Sequence, residues 1–299
     1  MPIGTLTFVA AELHLCDVFA QGPLSGNSLA VVVSQQELAA DVRQALTREL
    51  RHFESVFLVP TGDSEFAVHI HDLRRELAFA GHPLLGAGAV LHARSGRAAP
   101  CSWQLQLGER TVEVRSSAAG AERYLAAMDQ GPPSFQRVLR DSERVAAAEA
   151  FSLPASALAG DLPAEVVSTG LRYLIVPLRG EIESAAIAHP ALQELLAEVG
   201  ADFAYLLDVE SREGRTWEND GSLEDIATGS AAGPVGAYLV RHGRAQAGEP
   251  IVVQQGRFVG RPSKLNVLVH CRSDEPSNVE VSGPVVLIAN GTFAISALA

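Results

Sequence analysis

The sequence predicts an α+β protein built from two similar halves, and three observations carry that reading. Segments with strand character outnumber helical ones, and several sit close enough to pair as neighbours. Small residues recur at a near-constant offset of about half the chain. The composition is that of a folded, water-soluble protein.

At 299 residues the chain has room for two domains, each with its own core. Hydrophobic residues make up 47% and charged residues 19%, while aromatics are only 6%, so fine-grained, strand-rich packing is expected. A formal net charge of -12 without any Lys/Arg cluster argues against a nucleic-acid partner. Cys16, Cys101 and Cys271 are odd in number and far apart, with no CxxC pair. That favours a reducing compartment over a disulfide framework or a zinc site. The first residues lack a basic region followed by a long apolar run, and no stretch of about 18 apolar residues occurs anywhere. A soluble, cytoplasmic protein is the expectation.

Strands are expected at Val31–Val33, Val56–Pro60, Glu65–His71, Trp103–Leu107 and Thr111–Val114, the last two forming a hairpin about Gly108-Glu109-Arg110. In the second half they are expected at Leu171–Leu178, Phe203–Asp208, Ile251–Gln254, Leu265–Val269 and Val279–Val281. Helical patterns cover Gln36–Leu50, Pro83–His92, Asp141–Ala148, Pro190–Val199 and Ala231–His242.

Gly81, Gly88, Ala89 and Leu91 match Gly229, Gly236, Ala237 and Leu239 at an offset of 148 residues. Phe53 matches Phe203 at 150, and Gly26 before LAVVV matches Gly170 before RYLIV at 144. These offsets predict two repeats of one lobe design, residues 1–125 and 126–299, with the last strand a candidate to return to the first lobe. The handover falls in the Ala/Gly/Ser-rich segment Gly108–Leu162.

Two motifs occupy equivalent repeat positions. Glu76-Leu-Ala-Phe-Ala-Gly81-His82-Pro83 opens an apolar, small-residue helix, with Pro83 suited to the first helical position. Leu223-Glu224-Asp225-Ile-Ala-Thr228-Gly229-Ser230 opens another, with Thr228 or Ser230 available as its cap. Free N–H groups at a helix start favour a carboxylate. Either motif alone reads equally well as a glycine turn and a cap; the pair favours a ligand. Neither carries the Lys-Ser/Thr of a phosphate loop or the GxGxxG spacing, and no GxSxG elbow occurs.

Glu54, in Phe53-Glu54-Ser55-Val56-Phe57, breaks an apolar strand pattern, since its counterpart is Ala204. Two readings are open: a solvent-facing residue, free or paired with Arg51, or a partly buried acid/base. His69 and His71 share a strand face, where an exposed face is favoured over a metal pair because no third ligand is near in sequence. Only His82 among the histidines sits in a motif, at the anion position; His189 and the others carry none.

At these residues the sequence resembles the PhzF-like family of the diaminopimelate-epimerase fold, named for the phenazine-biosynthesis isomerase. The resemblance runs from Asp17-Val-Phe and Gly26-Asn27-Ser-Leu-Ala through Glu54-Ser-Val-Phe, the FAGHP stretch ending at Pro83, and Glu224-Asp225-Ile-Ala-Thr-Gly-Ser-Ala to Gln255-Gly256 and Arg261-Pro262-Ser263. It implies two pseudo-symmetric lobes, each a β-barrel-like sheet around a central helix, with the site in the cleft between them. It also implies that Glu54 shuttles a proton, and that His82 and Asp225 contact the substrate or relay protons. Gly81, Gly229 and Ser230 would offer donors to a substrate carboxylate, and Asn27 would line the site. Where related racemases hold paired cysteines, this chain has His82 and Ser230. A two-cysteine mechanism is therefore not expected.

The chain departs from the family at Asp72-Leu73-Arg74-Arg75, at Ser28 and Ile226, and in Arg215-Thr-Trp217-Glu-Asn-Asp220. The phenazine precursor is accordingly not carried over as substrate. The expected activity is a cofactor-independent and metal-independent isomerisation of a small carboxylate-bearing metabolite by general acid/base catalysis, in a homodimer. Two alternatives stand beside it. One is an epimerase or racemase using Glu54 with His82 or Asp225; the other is a non-catalytic ligand-binding or scaffold homologue.

Overall fold

A computed structural model describes residues 7–187 and 191–297. The chain divides into two compact units, the first comprising Met1–Met128 with Gly283–Ala299 and the second Asp129–Ser282.

Unit 1 runs in the order β1 (Thr7–Val18), β2 (Asn27–Ser34), α1 (Ala40–Leu50), β3 (Glu54–Pro60), β4 (Glu65–Asp72), β5 (Glu76–Leu77), α2 (Gly81–Ser95), β6 (Cys101–Leu107), β7 (Arg110–Gly120) and β8 (Arg123–Gly131), the last of which runs across the division. The hairpin forms as expected, with Leu107 paired to Arg110 across Gly108-Glu109. The strands order β1-β2-β3-β4-β6-β7-β8, and the long β16 (Glu275–Ala297) pairs with both β8 and β1, closing a ring of eight. β2–β3 and β4–β6 are parallel pairs and the other sequential neighbours from β1 to β8 are antiparallel. Alternation along β6, buried at Cys101, Trp103, Leu105 and Leu107, points one face of the strand inward.

Inside this ring lies α2, buried on every side from Gly81 to His92. A helix that is apolar all round has no solvent face to offer, and a barrel interior is where such a helix can form. Glycine makes the fit possible: a Cβ on Gly88 would run into Val114 of β7, and one on Gly86 into Leu29 of β2. The helix begins at Gly81, so Pro83 is its third residue rather than its first. Proline is still tolerated there, because first-turn N–H groups have no intrahelical acceptor.

Unit 2 repeats the scheme with β9 (Ser134–Val138), α3 (Asp141–Ala150), β10 (Glu165–Ser168), β11 (Arg172–Leu178), α4 (Ala191–Val199), β12 (Phe203–Asp208), β13 (Glu213–Arg215), α5 (Gly229–Arg241), β14 (Pro250–Gln255), β15 (Ser263–Arg272) and the first part of β16. Its strands order β9-β10-β11-β12-β13-β14-β15-β16. The parallel pairs recur at the matching places, β11–β12 and β13–β14. A Cβ on Gly236 of α5 would run into Val267 of β15, just as Gly88 meets β7. The expected helix at Pro190 begins, within the described residues, at Ala191; Pro190 and His189 lie outside them. Among the described residues no helix is long and apolar enough to cross a membrane.

Candidate active site

Glu54 is the first residue of β3, aligned with Leu29 of parallel β2 and with Asp72 of antiparallel β4. Strand alternation decides which way it faces. Phe57 joins the apolar cluster with Val32, Leu38 and the α1 residues Val42 and Leu46, whereas Glu54 reaches α2. The solvent-facing reading is therefore excluded: Glu54 is 8% exposed, and its Oε2 lies 3.4 Å from His82 Nδ1.

His82 is the second residue of α2 and is itself buried. Burial pushes its imidazole down to about 3, so it is uncharged near neutral pH. Among the described residues Nε2 has no hydrogen-bond partner. Asn27 Nδ2 stands 3.5 Å from Nδ1, on the side chain that opens β2. The turn before Asn27 is tightly specified: Gly26 has φ +71, and a Cβ there would meet the Val18 carbonyl. Buried Asp17 accepts the Leu24 N–H at 2.7 Å across the same turn. Glu54, His82, Asn27 and Gly81 thus converge at one end of the central helix.

In unit 2 the second motif builds a different cluster. Neither Thr228 nor Ser230 caps α5, contrary to expectation, because no side-chain cap bond forms. Thr228 Oγ1 donates instead to Asp225 Oδ2 at 2.5 Å, and the Ser230 hydroxyl pairs with Tyr173 OH at 2.6 Å. The Thr228 carbonyl still accepts the N–H groups of Ala231 and Ala232. Gln255 stitches the turn together: its Nε2 donates to the Asp225 carbonyl and to Thr228 Oγ1, and its Oε1 accepts from Thr228 N and Tyr205 OH. Gln130 Nε2 holds the Gly229 carbonyl at 2.9 Å. Asp225 and Ser230 remain partly exposed.

Tyr173, Gln130, and the detailed part played by Gln255 escaped sequence reasoning. Their only signal was polarity inside apolar strands, which Glu54 shares. Cys16 packs beside α2 at Gly86, and burial pushes its thiol pKa upward and keeps it protonated. His71, expected on an exposed strand face, is 2% exposed: it accepts from Arg43 Nε at 3.2 Å and contacts Gln44 Oε1 at 3.0 Å. Among the described residues no group of His, Cys, Asp and Glu could hold a metal ion.

Comparison with known proteins identifies this architecture. The uncharacterised isomerase YddE of Salmonella typhimurium is 30% identical over 95% of this chain and 99% of its own length. The trans-2,3-dihydro-3-hydroxyanthranilate isomerase of Pseudomonas fluorescens is 31% identical over 94% of this chain and 98% of its own. Among solved structures, that of a predicted epimerase from Pseudomonas aeruginosa superposes with a TM-score of 0.87 at 47% identity, covering 97% of this chain and 100% of that one. Fold and relatives together define an enzyme of the isomerase class. Residues 16–291 match the family described as phenazine biosynthesis-like protein, PhzC-PhzF, and the chain belongs to that family.

Proposed function

We propose that this isomerase moves a proton on a small carboxylate-bearing metabolite without a cofactor, with Glu54 as the base. One observation carries the proposal: a buried carboxylate standing against an uncharged, buried imidazole at the start of a central helix. Carbon acids beside a carboxylate ionise reluctantly, because the charge must spread into that carboxylate. First-turn N–H groups, here those of Gly81 and His82, stabilise such charge where it develops. Glu54 removes the proton and returns it at another carbon. His82 stays neutral and offers Nε2 to the substrate. In unit 2, Asp225 is proposed to position the substrate or relay a proton, with Gly229 and Ser230 as carboxylate donors and Asn27 lining the site in unit 1. The assembly we propose is a cytoplasmic homodimer.

Trans-2,3-dihydro-3-hydroxyanthranilate, the substrate in the relatives' name, is one compound to test. The departures at Ser28, Asp72–Arg75, Ile226 and Trp217–Asp220 favour a different one. A second reading, epimerisation, needs a second proton carrier on the opposite face of the substrate, and His82, whose Nε2 has no partner among the described residues, or Asp225 is the candidate.

The test is NMR in heavy water with a panel of small carboxylates that includes this compound. Wild-type protein should place solvent deuterium on a substrate carbon or carry hydrogen across the molecule. A configurational assay of the product separates isomerase from epimerase. Glu54→Gln preserves size and hydrogen bonding but cannot accept the proton, so turnover should fall by roughly 10²–10⁴-fold. Near-normal turnover in that variant removes Glu54 from the mechanism.

A further inference from the structure

The two motifs share one more residue that the mechanism does not use. Glu76 and Glu224 each stand five residues before a helix start, Gly81 and Gly229. Their surroundings repeat as well. Each is β-paired shortly before an irregular run: Glu76 with His71 of β4, and Glu224 with Trp217 through an isolated bridge. Each closes a turn held by a backbone bond, Asp72 N–H to the Arg75 carbonyl and Glu218 N–H to the Leu223 carbonyl, both at 2.9 Å.

Each glutamate is also gripped by a buried guanidinium, although the two arginines come from unrelated elements. Arg215 of β13 donates from Nε and Nη2 to the two oxygens of Glu224 at 2.8 and 2.7 Å. Its Nη1 donates to the carbonyls of Ile182, Glu183 and Ala185, and its plane lies 4.5 Å from both the Trp217 and Phe258 rings. In unit 1, Arg43 of α1 reaches Glu76 Oε2 at 3.5 Å, and His69 Nδ1 meets Oε1 at 2.5 Å. Arg43 is held in turn by the Leu38 carbonyl, Glu37 and His71. The unit 2 grip is closed, with both side chains under a tenth exposed; the unit 1 grip is more open, Glu76 being 42% exposed.

We infer that Glu76 and Glu224 are duplicated positioning residues, each fixing the irregular lead-in that aims its helix start and the site side chains on it. The inference deepens the site proposed above and rests on that reading. The physical case is that residues 78–80 and 225–228 have no ladder of their own to hold them. A strong point contact at the upstream end limits how such a run can swing, and a bidentate or multiply held carboxylate supplies one; in unit 2 it acts beside the Gln255 bonds and the Asp225 N–H bond to the Thr216 carbonyl. In unit 1 the segment delivered is Gly81-His82; in unit 2 it is Asp225 through Ser230. Different arginines serving one repeat position show that the glutamate is the constant part of the design.

The experiment uses full-length ¹⁵N-labelled protein and no substrate. Glu224→Gln should shift or broaden the amide signals of Gly229 and Ser230. Glu76→Gln should do the same to Gly81 and His82 and move the imidazole nitrogens of His82. Ile251→Ala and Leu105→Ala, truncations of buried core residues in units 2 and 1, serve as controls. They should lower the melting temperature at least as much while leaving those signals in place. Should Glu224→Gln fail to fold, Arg215→Lys keeps the charge but loses the paired bonds, and should move the Gly229 and Ser230 signals in the same way. Unmoved helix-start signals in the folded variants, or equal movement in the core controls, overturn the inference. An active Glu54→Gln enzyme would sink the base assignment yet leave this result untouched, so the two failures are distinguishable.

Discussion

At Glu54 the demands of folding and of chemistry point in opposite directions. A carboxylate 8% exposed at the end of an apolar strand costs folding free energy that an amide would not. Even as turnover falls, Glu54→Gln should therefore raise the melting temperature, by about 2 °C per kcal/mol relieved in a chain this long. A clear fall in melting temperature would show that the contact with His82 stabilises the fold and is not merely tolerated. His82 carries a different expectation, because it is proposed to bind as well as to keep a proton in place. His82→Ala should raise KM and lower kcat together, measurable by initial rates once a substrate from the panel turns over. A change in kcat alone would remove it from substrate contact. Gly26 sets the turn before Asn27: Gly26→Ala meets a positive φ and the Val18 carbonyl at once, and should displace that turn.

At the scale of elements, the two central helices make the strongest prediction. In an exposed helix, glycine to alanine gains about 1 kcal/mol. Here the sign should reverse. Gly88 and Gly236 face Val114 and Val267, which are themselves 0% and 1% exposed and have little room to give. Gly88→Ala and Gly236→Ala should each cost roughly 1–3 kcal/mol by overpacking, read from urea denaturation. Stabilisation at both would refute the close approach of helix to sheet. These glycines were legible in the sequence because close packing leaves no other residue type possible, and they carried the 148-residue offset. The alternating strands β4 and β6 were legible because each has one face that must be apolar, and β12 because it is a nearly continuous buried apolar run. Less visible were β1, β8 and the full length of β16, whose apolar and polar residues mix, and the short, buried β10, whose Glu165 and Ser168 flank only two valines. The caps of α5 were misread. Thr228 and Ser230 have capping chemistry, but a carboxylate at Asp225 and a phenol at Tyr173 compete for the same hydroxyls. Sequence spacing contains no measure of that competition.

Taken over the whole molecule, burial of neutral imidazoles makes stability depend on pH in one direction. His82 titrates near 6.5 when exposed and near 3 in the folded protein, with burial as the cause. The unfolded chain therefore binds more protons across that window, so stability rises with pH from about 3 to 6.5 and is lost as pH falls through it. His71, likewise lowered chiefly by burial, acts in the same sense. So does Glu143, held below its ordinary value by hydrogen bonds from Arg140, since a depressed carboxyl gives up stability on acidification. These contributions add rather than cancel, so stability should fall steadily on acidification across this range. His82 can be isolated from the rest. Each pH unit crossed inside the window removes about 1.4 kcal/mol, so moving from pH 7 to pH 4 should cost the wild type on the order of 3 kcal/mol through this residue alone. That is a large share of the roughly 5–15 kcal/mol that holds a typical domain folded. His82→Gln has no proton to gain in this window, so its urea-unfolding free energy should fall less between the two pH values, by about that amount. Parallel loss in the two proteins would mean that His82 is charged or solvated in the folded state. The neutral imidazole on which the site's proton arrangement depends would then have to be abandoned.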